Sequence, residues 1–152
     1  MQAYVALGAN LGDRERTLRA AVDALAAEPA IEVLAVSSLR ETEPVGVVGQ
    51  PPFLNGAVEL ETTLSARALL ERLLALERRF GREREGVPPH GPRTLDLDLL
   101  LYGDEQLDEP GLRVPHPRLH ERRFVLEPLA ELAPGLEVPG RGSVEGLLTG
   151  VH

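Results

Sequence analysis

Residues 95–102 read Leu-Asp-Leu-Asp-Leu-Leu-Leu-Tyr, and their alternation constrains the fold more than any other stretch. Leucine recurs at Leu95, Leu97, Leu99 and Leu101, a period of two that fits a strand and places these four on one buried face. Asp96 and Asp98 then share the other face. Residues two apart on a strand stand roughly 7 Å apart along the backbone, near enough for two carboxylates to converge on one or two divalent cations. Magnesium takes one or two carboxylates plus substrate phosphates, so the pair points to a nucleotide enzyme; the alternative is a solvated strand face with two ordinary charges.

The rest of the chain supplies partners for such a strand. Residues 3–7 read as a short buried strand, and Gly8-Ala-Asn-Leu-Gly12 as the turn out of it. Asp13 caps a helix carrying Leu18, Val22, Leu25 and Ala26 at helical spacing, which Pro29 stops. Residues 31–39 are strand-like, residues 42–52 with Pro44, Pro51 and Pro52 form a loop, and residues 54–62 form a strand in which Val58 and Leu60 alternate with Glu59 and Glu61. Ser65 caps a second helix with the apolar stripe Leu69, Leu70, Leu73, Leu76 and Phe80; Arg78 and Arg79 occupy its last turn and Gly81 the C′ position. Residues 81–93 lack periodicity and form an exposed loop. Residues 112–115 read as a short strand, 121–132 as a helix and 143–148 as a terminal helix. This β-α-β-β-α-β order predicts an α+β fold, a ferredoxin-like α/β sandwich with a mainly antiparallel sheet and helices packed on it.

At 152 residues the chain is expected to be one domain, spanning 1–152, with a core of Leu, Val and Ala since aromatic residues make up only 3%. It has no cysteine, which excludes disulfides and thiolate metal sites. No apolar run approaches a membrane span and the first residues lack a basic region, so neither insertion nor secretion is expected; the expectation is a cytoplasmic protein with no membrane partner. A net charge of −8 argues against nucleic-acid binding. All sixteen basic residues are arginine, so phosphate recognition must use guanidinium forks rather than a lysine. Nine of them lie between Arg78 and Arg123, flanking the Asp pair.

Two further residues are candidates. The strand period puts Asn55 on the face of Glu59 and away from Val58, which presents its amide rather than burying it in the main core; a solvated strand Asn is the alternative. His116 lies between Pro115 and Pro117 in what must be a fixed turn, and with His90, His120 and His152 scattered no zinc spacing exists.

With these residues in view the sequence closely resembles the 6-hydroxymethyl-7,8-dihydropterin pyrophosphokinase family of folate biosynthesis. The resemblance runs through Leu7-Gly-Ala-Asn-Leu-Gly12, Ser37-Ser38, Thr42-Glu-Pro-Val-Gly46, Phe53-Leu-Asn55, Glu77, Gly81-Arg82, Gly91-Pro-Arg-Thr-Leu-Asp-Leu-Asp98 and Val114-Pro-His116. It implies transfer of the β,γ-pyrophosphoryl group of ATP to the pterin hydroxymethyl oxygen with release of AMP. The substrates would be ATP and 6-hydroxymethyl-7,8-dihydropterin, and the cofactor Mg2+, two ions.

By this resemblance Asp96 and Asp98 are magnesium ligands; Arg82 and Arg93 contact phosphates, and Arg84 sits on a mobile loop closing over ATP. His116 and Arg122 are further triphosphate ligands. Leu70, Glu77 and Leu99 fall on the nucleotide side, Thr42, Pro44 and Val45 on the pterin wall. Asn55 bonds the pterin edge between the aromatic positions Phe53 and Phe124. Arg82, Arg84, Arg93, Asp96 and Asp98 form the implied catalytic set. The chain departs from the family in carrying Pro89-His90 where members often have Arg-Trp, and Phe53 where Tyr is frequent. Two other classes remain to be separated by experiment: a binding module without catalysis, and a phosphohydrolase, for which the sequence supplies no obvious larger set of metal ligands.

Overall fold

The computed structural model describes residues 1–10, 13–42, 52–81 and 95–151. In chain order its first half comprises β1 (Gln2–Ala9), α1 (Arg14–Ala26), β2 (Ile31–Val36), β3 (Arg40–Thr42), β4 (Phe53–Thr62) and α2 (Ala66–Gly81). The second half comprises β5 (Asp96–Tyr102), β6 (Leu107–Glu109), β7 (Leu112–Val114), a 3-10 turn (Leu119–Glu121), α3 (Arg123–Leu132), β8 (Glu137–Val138), β9 (Gly142–Ser143) and α4 (Val144–Thr149).

β1 lies at the centre because its residues are apolar or small on both faces, and all but Gln2 and Ala6 are buried. Antiparallel to it run β4 on one side and β5 on the other, with β2 outside β4, giving the order β2-β4-β1-β5; β3 adds to β4. β1 and β2 are therefore parallel with β4 between them, the split βαβ arrangement of a ferredoxin-like sandwich.

Both caps expected from the sequence form. The Asp13 side chain accepts from the Arg16 N–H at 3.1 Å, and Ser65 Oγ accepts from the Ala68 N–H at 3.1 Å. Leu18, Ala21 and Leu25 of α1 and Leu69, Leu73 and Leu76 of α2 pack on the sheet with Val5, Leu7, Val58, Leu60, Leu97 and Leu99. Burial of each such leucine contributes ~1.5–3 kcal/mol before the opposing chain entropy is counted. Gly81 differs from its expected C′ role, since α2 runs through it. Thr42 ends a strand rather than opening a loop, because residues 40–42 find backbone partners on β4.

The alternation of β5 breaks. Val5 pairs with Leu99 but Tyr4 with Leu101, so Leu100 is an extra residue in the ladder, a β-bulge. Leu95, Leu97 and Leu99 keep the expected face toward α1 and α2, whereas Leu101 turns to the opposite side. There Leu100 and Leu101 join Tyr4, Ala57 and the apolar faces of α3 and α4 in a second core. Helices α3 and α4 thus cover only part of the sheet's second face. Past Ala6 that face carries Gly8, Asn55, Asp96 and Asp98 in place of apolar side chains.

Candidate active site

The sheet register assembles the site. Gly8 of β1 pairs with Asn55 of β4 on one side and Asp96 of β5 on the other, so the three form a row across the strands. With strands spaced ~4.8 Å apart, Asn55 and Asp96 stand ~10 Å apart at the backbone with a glycine between them. A Cβ at Gly8 would lie 3.0 Å from Asn55 Oδ1 and 3.9 Å from Asp96 Cβ. The missing side chain gives the Asn55 carboxamide its place and leaves the floor between amide and carboxylate open. Asp98 pairs with Ala6 in the next row on the same face. Asp96 is half-buried and Asp98 exposed.

Asn55 is held as well as placed. It is 8% exposed, and its Nδ2 donates to Thr42 Oγ1 from the neighbouring strand. That contact uses one of the four hydrogen-bonding positions of the amide. Beside it lies a cavity of about 310 Å³, walled by Arg40, Glu41, Thr42 and Asn55 on one side and by Arg123, Phe124, Glu127 and Pro128 of α3 on the other. Phe124 offers an aromatic wall, with the Arg122 guanidinium 5.6 Å from its ring centre. Phe53 lies two residues before Asn55 and so on its face of β4, opposite Thr42, but does not line this cavity. A larger hollow, about 560 Å³, opens on the other face between α1 and the β2–β3 connection. Glu15 and Asp23 line it, but Asp96, Asp98 and Asn55 do not, and its size carries no chemistry.

At the carboxylate end, the His116 N–H donates to Leu100 O at 2.9 Å, which ties the residue 115–117 turn to β5. His116 Nδ1 accepts from the Arg118 N–H at 3.2 Å. Partial burial pushes the imidazole below its usual pKa; the Asp98 charge opposes this, while Arg122 and Arg118 reinforce it. The His116 imidazole thus lies within the electrostatic reach of Asp98, Arg122 and Arg118.

The nucleotide-side residues divide. Glu77 Oε2 accepts the Leu97 N–H at 2.7 Å, joining α2 to the edge strand. Leu70 is half-buried on α2, and Leu99 is buried in the helix-covered core, on the face opposite Asp98. Pro44, Val45, Arg82, Arg84, Arg93 and the Pro89-His90 departure lie outside the described residues. Sequence reasoning missed Arg40, Arg123, Glu127 and Gly8 as parts of the site. The first three carry no signal in period or motif; Gly8 reads in sequence as a turn, though a glycine beside a polar-faced strand is itself a sign of close approach.

Among the described residues no three His, Asp or Glu gather as a metal cluster, and no helix is long and apolar enough to cross a membrane. Two adjacent carboxylates with no third among the described residues fit an ion that draws its remaining ligands from phosphate and water, as magnesium does.

The 7,8-dihydro-6-hydroxymethylpterin-pyrophosphokinase family model matches residues 4–134. Over 135 residues the chain is 50% identical to the 2-amino-4-hydroxy-6-hydroxymethyldihydropteridine pyrophosphokinase of Bacillus subtilis, covering 89% of this chain and 80% of that one. Over 138 residues it is 46% identical to the enzyme of the same name from Pseudomonas aeruginosa, covering 91% and 84%. In fold it resembles the crystal structure of Plasmodium falciparum HPPK-DHPS with a TM-score of 0.75 at 12% identity, covering 98% of this chain and 45% of that longer one. Sheet order and matches together define the class, a kinase-type transferase on a ferredoxin-like frame. The chain belongs to the 7,8-dihydro-6-hydroxymethylpterin-pyrophosphokinase family.

Proposed function

We propose that this chain, acting as a single cytoplasmic domain, transfers the β,γ-pyrophosphoryl group of ATP to 6-hydroxymethyl-7,8-dihydropterin in folate biosynthesis. The observation that carries the reading is the row Asn55–Gly8–Asp96, which sets an amide able to bond a heterocycle's edge and a carboxylate able to hold a phosphate-bound cation on one open surface. Asn55 and Phe124 would orient the pterin, its ring against the Phe124 wall and its hydroxymethyl group toward Asp96.

Asp96 and Asp98 would hold magnesium, two ions, which when bound neutralises phosphate charge and lowers the pKa of a nearby hydroxyl. The pterin oxygen attacks the β-phosphorus, the bond from β-phosphorus to the α,β-bridging oxygen breaks, and AMP leaves with that oxygen while the hydroxyl proton passes to solvent. His116 and Arg122 would donate to the triphosphate. Arg82, Arg84 and Arg93 are assigned to the phosphates, Leu70, Glu77 and Leu99 to the nucleotide side, and Pro44, Val45 and Phe53 to the pterin side, on the family resemblance. The test is product analysis after incubation with ATP, magnesium and the reduced pterin. AMP and pterin diphosphate in equal amounts support the reading. ADP, inorganic phosphate or no turnover would overturn it.

A further inference from the structure

The two walls of the Asn55 cavity belong to different elements, and a charged network joins them. β3 is three residues long and, among the described residues, pairs only with β4, through Arg40↔Asn55, Glu41↔Leu54 and Thr42↔Phe53. So short a strand is weakly held by its own ladder, yet Thr42 supplies the oxygen that fixes the Asn55 amide. The missing support comes from α3. Arg40 Nη1 donates to Glu127 Oε2 at 3.0 Å and Nη2 to Glu131 Oε1 at 2.9 Å, so one guanidinium spans two carboxylates one helical turn apart. Glu131 also accepts from the Ser38 N–H at 2.7 Å and the Ser38 hydroxyl at 2.6 Å, fastening the chain two residues before β3 to the helix. Arg123 completes the set at Glu127, 2.6 Å away.

We propose that Arg40 and Glu131 are positioning residues: they clamp β3 to α3, set the spacing between Thr42–Asn55 and Phe124, and so determine how well this cavity grips a flat nitrogen heterocycle. The inference rests on the pterin reading above. An isolated exposed ion pair would do little, because solvent screens it and side-chain entropy opposes it. Here four charges alternate in a network, and Glu131 receives two further bonds from Ser38. Its effect on affinity exceeds its effect on folding, because the cavity needs both walls at a fixed distance while α3 is already held to the sheet by the shared apolar core of Tyr4, Ala57, Leu101, Leu126 and Leu129.

The test uses Arg40→Met, which keeps the apolar stem and removes the fork, together with Arg40→Lys and Glu131→Gln. Binding of 6-hydroxymethylpterin is titrated by its fluorescence, and a nonhydrolysable ATP analogue with magnesium is titrated calorimetrically. Arg40→Met is expected to weaken pterin binding about tenfold and leave the ATP analogue within about twofold of wild type. In steady state the loss appears in the pterin KM rather than in kcat. Arg40→Lys, whose single ammonium reaches one carboxylate at a time, recovers part of the loss, and Glu131→Gln falls between. Wild-type protein that binds no pterin overturns the underlying reading. Wild-type binding with equal affinity in Arg40→Met and Glu131→Gln overturns the clamp alone, as does an equal loss for both ligands.

Discussion

Replacing Gly8 by alanine separates the site from the fold. The new Cβ would sit 3.0 Å from Asn55 Oδ1, inside ordinary contact distance, so the carboxamide must move by a few tenths of an ångström. Asp96 Cβ at 3.9 Å is in normal contact and has no reason to shift. Two opposed effects act on stability. Alanine in a strand interior gains ~0.5–1 kcal/mol over glycine through lost unfolded-state freedom. Displacing Asn55 from Thr42 sacrifices one hydrogen bond, ~0.5–1.5 kcal/mol. They nearly cancel, so the melting temperature should stay within about 4 °C of wild type. Pterin affinity has no such compensation. Two misdirected hydrogen bonds from the amide cost ~1–3 kcal/mol, roughly 5- to 150-fold in Kd. The assay is fluorescence titration with 6-hydroxymethylpterin beside a thermal melt, with Asn55→Ala as the reference for complete loss of the amide. Unchanged pterin affinity in Gly8→Ala would refute the argument that the open floor at Gly8 fixes Asn55.

Three further outcomes are expected. Asp96→Ala and Asp98→Ala should each abolish most AMP formation and leave far-UV circular dichroism unchanged, since neither side chain belongs to a core; near wild-type turnover would refute their assignment. Leu101→Ala should destabilise by ~2–5 kcal/mol in urea unfolding, because Leu101 is 1% exposed in the second core; a loss below about 1 kcal/mol would mean that the bulge does not seat it there. Hydrogen bonds from Ser38, with Arg40 nearby, hold the Glu131 carboxyl below its ordinary value of 4.5, a shift that burial opposes. A depressed folded-state pKa gives stability that is complete above the unfolded value and lost as pH falls through the folded one. Glu131→Gln should therefore unfold more readily than wild type at neutral pH, and the gap should close under acid; a gap independent of pH would contradict the network.

Much of this was legible from periodicity and caps. Asn55 was placed on the Glu59 face because strand alternation holds along the whole of β4, where the ladder to β1 has no irregularity. Asp13 and Ser65 marked helix starts because a side-chain oxygen meeting an unpaired N–H is a local interaction that needs no tertiary context. Leu101 lies on the face opposite the one alternation predicts, because a bulge is decided by pairing with Tyr4 and by the apolar demand of α3 and α4, neither visible within residues 95–102. The helix expected over residues 121–132 begins at Arg123, with Glu121 in a 3-10 turn. The short pairs β6–β7 and β8–β9 were mostly unseen, since strands of two or three residues carry no period to read. Within the site, Asp96, Asp98 and Asn55 announce themselves as polar residues where a strand should be apolar. Arg40, Glu127 and Glu131 do not, because an Arg and two Glu on surface elements look alike in sequence whether or not the fold joins them.

The most direct measurement is a crystal structure with a nonhydrolysable ATP analogue, manganese in place of magnesium, and 6-hydroxymethylpterin, read by anomalous scattering. The account expects the metal signal against Asp96 and Asp98, the heterocycle on Asn55 and Phe124, and its hydroxymethyl oxygen across Gly8 from the phosphates. A metal bound away from both carboxylates, or a pterin ring in the larger hollow beside α1, would contradict it.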